Sequence, residues 1–175
     1  RVGIPYSPFT GKPITSQTVT QIVDRIKDLP KKSTIYLYAP VVRGRKGEYK
    51  KDILSYKKRG FRKIKIDEKL YEIDSVPELN KKVKHDISVL VDRIVINSSL
   101  GNRLAESVET AINLANGLIF VEYENETLPK KFRKVEKIIF STKFACPESG
   151  FTIEEIEPRL FSFNSPYGAC EECDG

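Results

Sequence analysis

Residues 61–66 read FRKIKI, and from Lys63 onward they alternate, with Ile64 and Ile66 on one side of an extended chain and Lys63 and Lys65 on the other. Period two marks a strand with one buried face, so both isoleucines are expected in a core and both lysines in solvent. Asp67-Glu68 then predicts a turn into a short strand over residues 70–73 (LYEI). Upstream, a helix over about 48–58 is expected to close at Gly60, because glycine tolerates the positive φ that ends a helix. Before it, residues 34–42 (TIYLYAPVV) are rich in β-branched and aromatic side chains and predict a strand. The basic loop RGRKGEYKK, interrupted by Gly44 and Gly47, joins the two.

Outward from this centre the elements continue. Residues 1–14 (RVGIPYSPFTGKPI) form a Pro- and Gly-rich lead-in. Ser16 or Thr18 can cap a helix whose apolar positions Val19, Ile22, Val23, Ile26 and Leu29 keep helical spacing until Pro30. Residues 75–86 (SVPELNKKVKHD) form a polar connection holding the one histidine, His85, which without a second histidine is a surface or structural residue rather than a catalytic one. Residues 87–96 (ISVLVDRIVI) predict a strand with a charged interruption at Asp92-Arg93. That interruption marks either an end emerging toward a partner or a satisfied salt bridge. A helix over 100–116 places Leu100, Leu104, Val108, Ala111, Ile112 and Ala115 on one face and stops at Gly117. Strands over 118–123 and 137–140 follow, separated by a charged loop. The order is helix, then β-α-β-β-β-α-β-β. This is an α+β (mixed α/β) domain with a single antiparallel-leaning sheet and about three packed helices.

Composition narrows the function classes. The chain has 175 residues, 39% hydrophobic and 31% charged, as a soluble globular domain does. No apolar run approaches the roughly 18–20 residues needed to span a bilayer, and neither end resembles a natural terminus. Between Arg43 and Lys65 stand eleven Lys or Arg against Glu48 and Asp52, a local balance of +9 in a chain of net +6, leaving −3 elsewhere. Such a concentration implies an anionic partner, either an acidic protein face or nucleic-acid phosphates, against the plainer reading of a solvated helix face. Phosphate-loop, dinucleotide and nucleophile-elbow motifs are all missing, and RGRKGE lacks phosphate-loop spacing, so no catalysis is expected.

All three cysteines fall near the C-terminal end. Cys146-Pro-Glu-Ser149-Gly and Cys170-Glu-Glu-Cys173 have the form of zinc knuckles, in which each turn presents two ligands to the metal. Ser149 is a poor zinc ligand, so these two turns cannot close a four-thiolate site. The plain alternative is two exposed thiols, reduced in a cytosolic setting. An autonomous zinc-knuckle protein is a third reading, which requires about one bound zinc per chain.

Four stretches carry a family resemblance: APVVRGRKGEYKK, KKVKHDISVLVDRIVI, RLAESVETAINLANGLIFVE and EPRLFSFNSPYGACEECDG. Together they resemble the bacterial UvrA family, the damage-sensing ABC-type ATPases of nucleotide excision repair. The resemblance covers essentially the whole chain. It implies a UvrB-binding domain spanning residues 15–141, flanked by a lead-in over 1–14 and an exit segment over 142–175 that returns toward the ATPase core. ATP binding, DNA contact and homodimerisation would belong to the parent, which would be cytoplasmic. By resemblance, Lys63 and Arg93 are the expected UvrB contacts, with Lys65, Arg43, Arg45 and Lys46 in support. The family's first knuckle corresponds to Ser7-Pro-Phe-Thr10-Gly and is expected to pair with the Cys146 turn. Ser7, Thr10 and Ser149 stand where that pattern has metal ligands, which implies that this root zinc site is lost and leaves Cys146 a lone thiol. Cys170 and Cys173 keep their identity as half a zinc site whose other half lies outside this sequence.

Overall fold

The computed structural model describes Tyr6 and residues 16–97, 102–124 and 135–143. Its elements run α1 (Val19–Lys27), β1 (Thr34–Lys46), α2 (Lys50–Lys58), β2 (Lys63–Ile66), β3 (Lys69–Glu72), a 3₁₀ turn (Ile73–Ser75), β4 (Lys84–Val95), α3 (Arg103–Leu114), β5 (Leu118–Glu124) and β6 (Val135–Ser141). The strands form one six-stranded sheet in the order β3-β2-β4-β1-β5-β6, and every neighbouring pair is antiparallel. The α+β class and the element order agree with the sequence reading.

Local chemistry fixes the ends of these elements. Thr18, rather than Ser16, caps α1: its hydroxyl accepts from the Gln21 N–H at 3.2 Å and its own N–H donates to Gln21 Oε1 at 2.9 Å. This reciprocal box satisfies two otherwise orphan donors and stabilises a helix by about 1 kcal/mol. The two-residue turn between β2 and β3 places Asp67 and Glu68 at φ of 47° and 67°. That left-handed pair matches the right-handed twist of a hairpin. Asp67 is held there because its carboxylate accepts from the Asp86 N–H at 2.9 Å and lies 2.7 Å from His85 Nδ1.

Ile22, Val23 and Ile26 of α1 and Leu104, Val108 and Ala111 of α3 cover Ile35, Leu37, Ala39, Ile94, Ile119, Val121 and Phe140. A second cluster gathers Ile53 of α2 with Ile64, Ile66, Ile73, Ile87 and Val89. Val89 lies opposite Ala39 in register, so both clusters occupy one face of the sheet. Among the described residues no helix covers the other face.

Several expectations are corrected. β1 does not end at Val42; it continues through Arg43–Lys46, with Arg45 and Lys46 paired to β4 instead of lying in a loop. Register shifts at Pro40/Val42 and Val42/Arg45 allow this. Pro40 sits at the first of them, past the last β1–β5 pair at Tyr38. A bulge on an otherwise unpaired strand edge is where the missing proline N–H does least harm. α2 starts two residues later than predicted, after Tyr49 at φ 51°. Ile73 belongs to the 3₁₀ turn rather than to β3, and His85 belongs to β4, where it is buried. Lys65 is not in solvent: its side chain is only 17% exposed. α3 starts at Arg103, and Leu100 lies outside the described residues. So do the charged loop over 125–134 and Ser7, Thr10, Cys146, Ser149, Cys170 and Cys173.

Candidate protein-interaction face

The uncovered face is built around a slip in β4. Residues buried on the helix side are Ile87 and Val89 in one half of the strand but Ile94 and Ile96 in the other, a change from odd to even positions. Strict alternation cannot bury both sets. A bulge resolves the conflict: Leu90 pairs with Tyr38 and Asp92 with Leu37, so Val91 is the extra residue. Asp92 therefore turns toward α3, while Arg93 emerges on the uncovered face beside Tyr36.

Asp92 pins this slip. Its carboxylate accepts from Arg103 Nε at 3.1 Å, Arg103 Nη2 at 2.8 Å, Ser107 Oγ at 2.8 Å and the Arg93 N–H at 2.8 Å. Burial alone would raise its pKa, but these donors, Arg103 foremost, hold the carboxyl below the ordinary aspartate range. Of the two readings the sequence left open, the salt bridge holds for Asp92, while Arg93 is exposed on the uncovered face.

Three cations stack on three aromatic rings across the uncovered face. Arg93 lies 5.7 Å from the Tyr36 ring, Lys65 5.5 Å from Tyr38 and Lys137 4.3 Å from Phe120. A cleft of about 350 Å³ runs beside them, lined by residues including Tyr38, Pro40, Arg43, Phe120 and Ile139. The cations differ in how their charge is used. Lys65 donates to Glu122 at 2.6 Å and pairs with Glu68 at 2.8 Å. Burial would lower the Lys65 pKa, yet the two glutamates hold it above the usual lysine value. Its charge is therefore already compensated. The Tyr38 hydroxyl, desolvated and near Glu122, is pushed up to about 12 and stays protonated. Lys63 makes an exposed pair with Glu72 at 3.1 Å. Arg93 has no carboxylate partner among the described residues, so its guanidinium is oriented by Tyr36 but its charge remains uncompensated.

Of the residues singled out in the sequence, Lys63, Lys65 and Arg93 share this face, and Arg43 lines the cleft. Arg45 and Lys46 lie further off, at the end of the β1–β4 ribbon. Sequence reasoning missed Tyr36, Tyr38, Phe120 and Glu122. A signal for the rings was present: Tyr36 and Tyr38 occupy the positions of TIYLYAPVV that alternate with Ile35 and Leu37. Among the described residues there is no group of three or more His, Cys, Asp or Glu side chains placed to hold a metal.

Comparison with known proteins places this architecture. The family described as the UvrA interaction domain matches residues 17–125. Proteins named UvrABC system protein A are similar over the whole chain: 55% identical in Mesorhizobium japonicum, 56% in Bradyrhizobium diazoefficiens and 52% in Rickettsia typhi. In each case the chain spans 19% of the relative's length. The matched region contains α1 through β5, and with it Tyr36, Lys63 and Arg93, so the chain belongs to the UvrA interaction domain family.

Proposed function

We propose that the uncovered sheet face is the surface by which this domain recruits UvrB, as part of a UvrA protein that loads UvrB onto damaged DNA. The observation that carries the reading is Arg93: a guanidinium laid over Tyr36, with no carboxylate partner among the described residues, on a face that no described helix covers. Arginine and tyrosine are the side chains that most often dominate protein interfaces, because a flat, oriented fork meets a carboxylate with little further loss of freedom. Lys63 adds a second cation, since its pair with Glu72 is exposed and easily exchanged for a partner's carboxylate. Lys65 then serves mainly to hold β2 against β5 through Glu122 and is a lesser contact. ATP hydrolysis and dimerisation fall to the rest of such a parent, and this domain is non-enzymatic. Any zinc belongs to the flanking knuckles, with Cys170 and Cys173 as half a site.

The test is capture of purified UvrB by the chain carrying Lys63→Glu and Arg93→Glu. Charge reversal at an interface centre costs about 2–5 kcal/mol, so binding is expected to fall at least about 30-fold. The circular dichroism spectrum should not change, because both side chains are exposed. Undiminished capture by the double variant overturns the site assignment.

A further inference from the structure

The β1–β4 pairing brings together two basic runs that are far apart in sequence. RGRK at 43–46 ends β1, KKVK at 81–84 leads into β4, and Lys46 lies directly opposite Lys84 in register, with Arg45 opposite His85. Arg45, Lys46, Lys81, Lys82 and Lys84 are all exposed, and no acid pairs with any of them among the described residues. Like charges at directly opposed positions have Cβ atoms about 5 Å apart and destabilise a ladder. The neighbouring carboxylates of β4 and the β2–β3 turn make other contacts. Asp86 is engaged by the Gly44 N–H at 2.7 Å, and Asp67 by His85. Lysines do protect strand edges from unwanted pairing, and beyond Tyr38 β1 has lost β5 as a neighbour. Edge protection does not call for cations facing each other across the ladder.

We propose that this ribbon end is a second, separate binding surface that takes the phosphate backbone of nucleic acid. It stands roughly 30 Å from the Arg93 end of the same sheet, at about 3.3 Å per residue along β1 from Tyr36 to Lys46. Its chemistry differs from that of the Arg93 face. Four of the five cations are lysines, and none of the five is stacked on a ring. Lysine-rich, aromatic-poor surfaces are depleted from protein interface cores and suit a polyanion, where affinity comes from released counterions rather than from buried anchors. Phosphates seated here relieve the Lys46–Lys84 repulsion and give no sequence readout.

The experiment is binding of the chain to a short mixed-sequence duplex DNA, followed by fluorescence anisotropy between about 50 and 200 mM salt. Each phosphate contact contributes about 0.9 to the magnitude of the slope of log affinity against log salt, so five cations give a slope of about −4.5. The Lys46→Gln, Lys84→Gln double variant is expected to lower the magnitude of that slope by about 2 and to weaken binding at least about tenfold for every sequence. Its thermal midpoint should rise slightly, since the opposed charges are gone, and this excludes misfolding as the cause of lost affinity. A Lys51→Gln, Lys58→Gln control on α2 should retain both affinity and slope. Equal loss in that control, an unchanged slope in the ribbon variant, or binding of poly-glutamate but not of DNA each overturns the proposal.

Discussion

Among the described residues, fifteen buried ones from α1, α3, strands β1, β4, β5 and β6 and Ile96 just past β4 make the larger apolar cluster, whereas six make the smaller one beneath α2 and the β2–β3 hairpin. The smaller half compensates with charge. Lys50 pairs with Glu78, Lys57 with Asp74, Lys63 with Glu72 and Lys65 with Glu68, while His85 joins Asp67 to the carbonyl of Asn80. The three exposed pairs, Lys50–Glu78, Lys57–Asp74 and Lys63–Glu72, contribute about 0–1 kcal/mol each, less than the burial of an isoleucine. One half of the sheet is therefore a rigid platform. The other is a flap with fewer fully buried side chains, expected to depend more on ionisation and salt. The two proposed surfaces use this difference: Arg93 is anchored on the platform through Asp92, whereas Lys63 and the ribbon end belong to the flap. Low local stability is common where surfaces must adapt to a partner.

The largest expected effect comes from the platform. Leu37 is fully buried, and Leu37→Ala should lower unfolding stability by about 3–5 kcal/mol in urea denaturation. Ile53, at 9% exposure on the rim of the smaller cluster, should lose about 2 kcal/mol as Ile53→Ala. Equal losses would erase the distinction between the halves.

A smaller change tests how the platform presents Arg93. Asp92→Ala removes the acceptor of four hydrogen bonds, and because Arg103 is exposed and can turn to water, the expected loss is about 2 kcal/mol. Amide exchange at Val91 and Arg93 should accelerate more than exchange in β5. No local acceleration would mean that the apolar parity of Ile87, Val89, Ile94 and Ile96 sets the bulge without help.

The smallest effect is a pH dependence confined to the flap. The Asn80 carbonyl only accepts, so His85 Nε2 must donate to it, and ionised Asp67 likewise requires a proton on Nδ1. The bound state is thus an imidazolium. The hydrogen bond to Asp67 raises the His85 pKa above its usual 6.5, against the opposing effect of burial. A raised folded-state pKa gives stability that is complete below about 6.5 and lost as pH rises through the folded value. Asp67 acts oppositely. Burial would raise its pKa, but the Asp86 N–H and His85 hold it low, so its contribution is lost only as pH falls through that depressed value. The hairpin should be firmest between these limits. Nuclear magnetic resonance titration of His85 alongside the β2–β3 amides checks this, and His85→Gln should remove the alkaline part of the dependence. A His85 titrating at or below 6.5 would refute the imidazolium.

The element order was legible because periodicity is local: FRKIKI, TIYLYAPVV and the 3.6-residue spacing of Ile22, Val23 and Ile26 report their own burial without reference to a partner. The helix stops at Gly60 and Gly117 were legible for the same reason, since both adopt positive φ, at 90° and 100°. The resemblance in RLAESVETAINLANGLIFVE was equally local and led to the right family. Lys63 and Arg93 were named, but their common face could not be read along the chain. That face depends on the slip at Val91, on β1 pairing past Pro40, and on the register that sets Arg93 beside Tyr36 and Lys46 against Lys84. Register is a property of two strands at once, and a shift of one residue sends every following side chain to the opposite face. The sequence by itself determined the order of helices and strands and the family they form, though not the bounds of every element. Only the tertiary structure decided that Lys65 is paired with Glu122, that Arg93 lies over Tyr36 with no carboxylate partner among the described residues, and that two distant basic runs meet at one end of a ribbon.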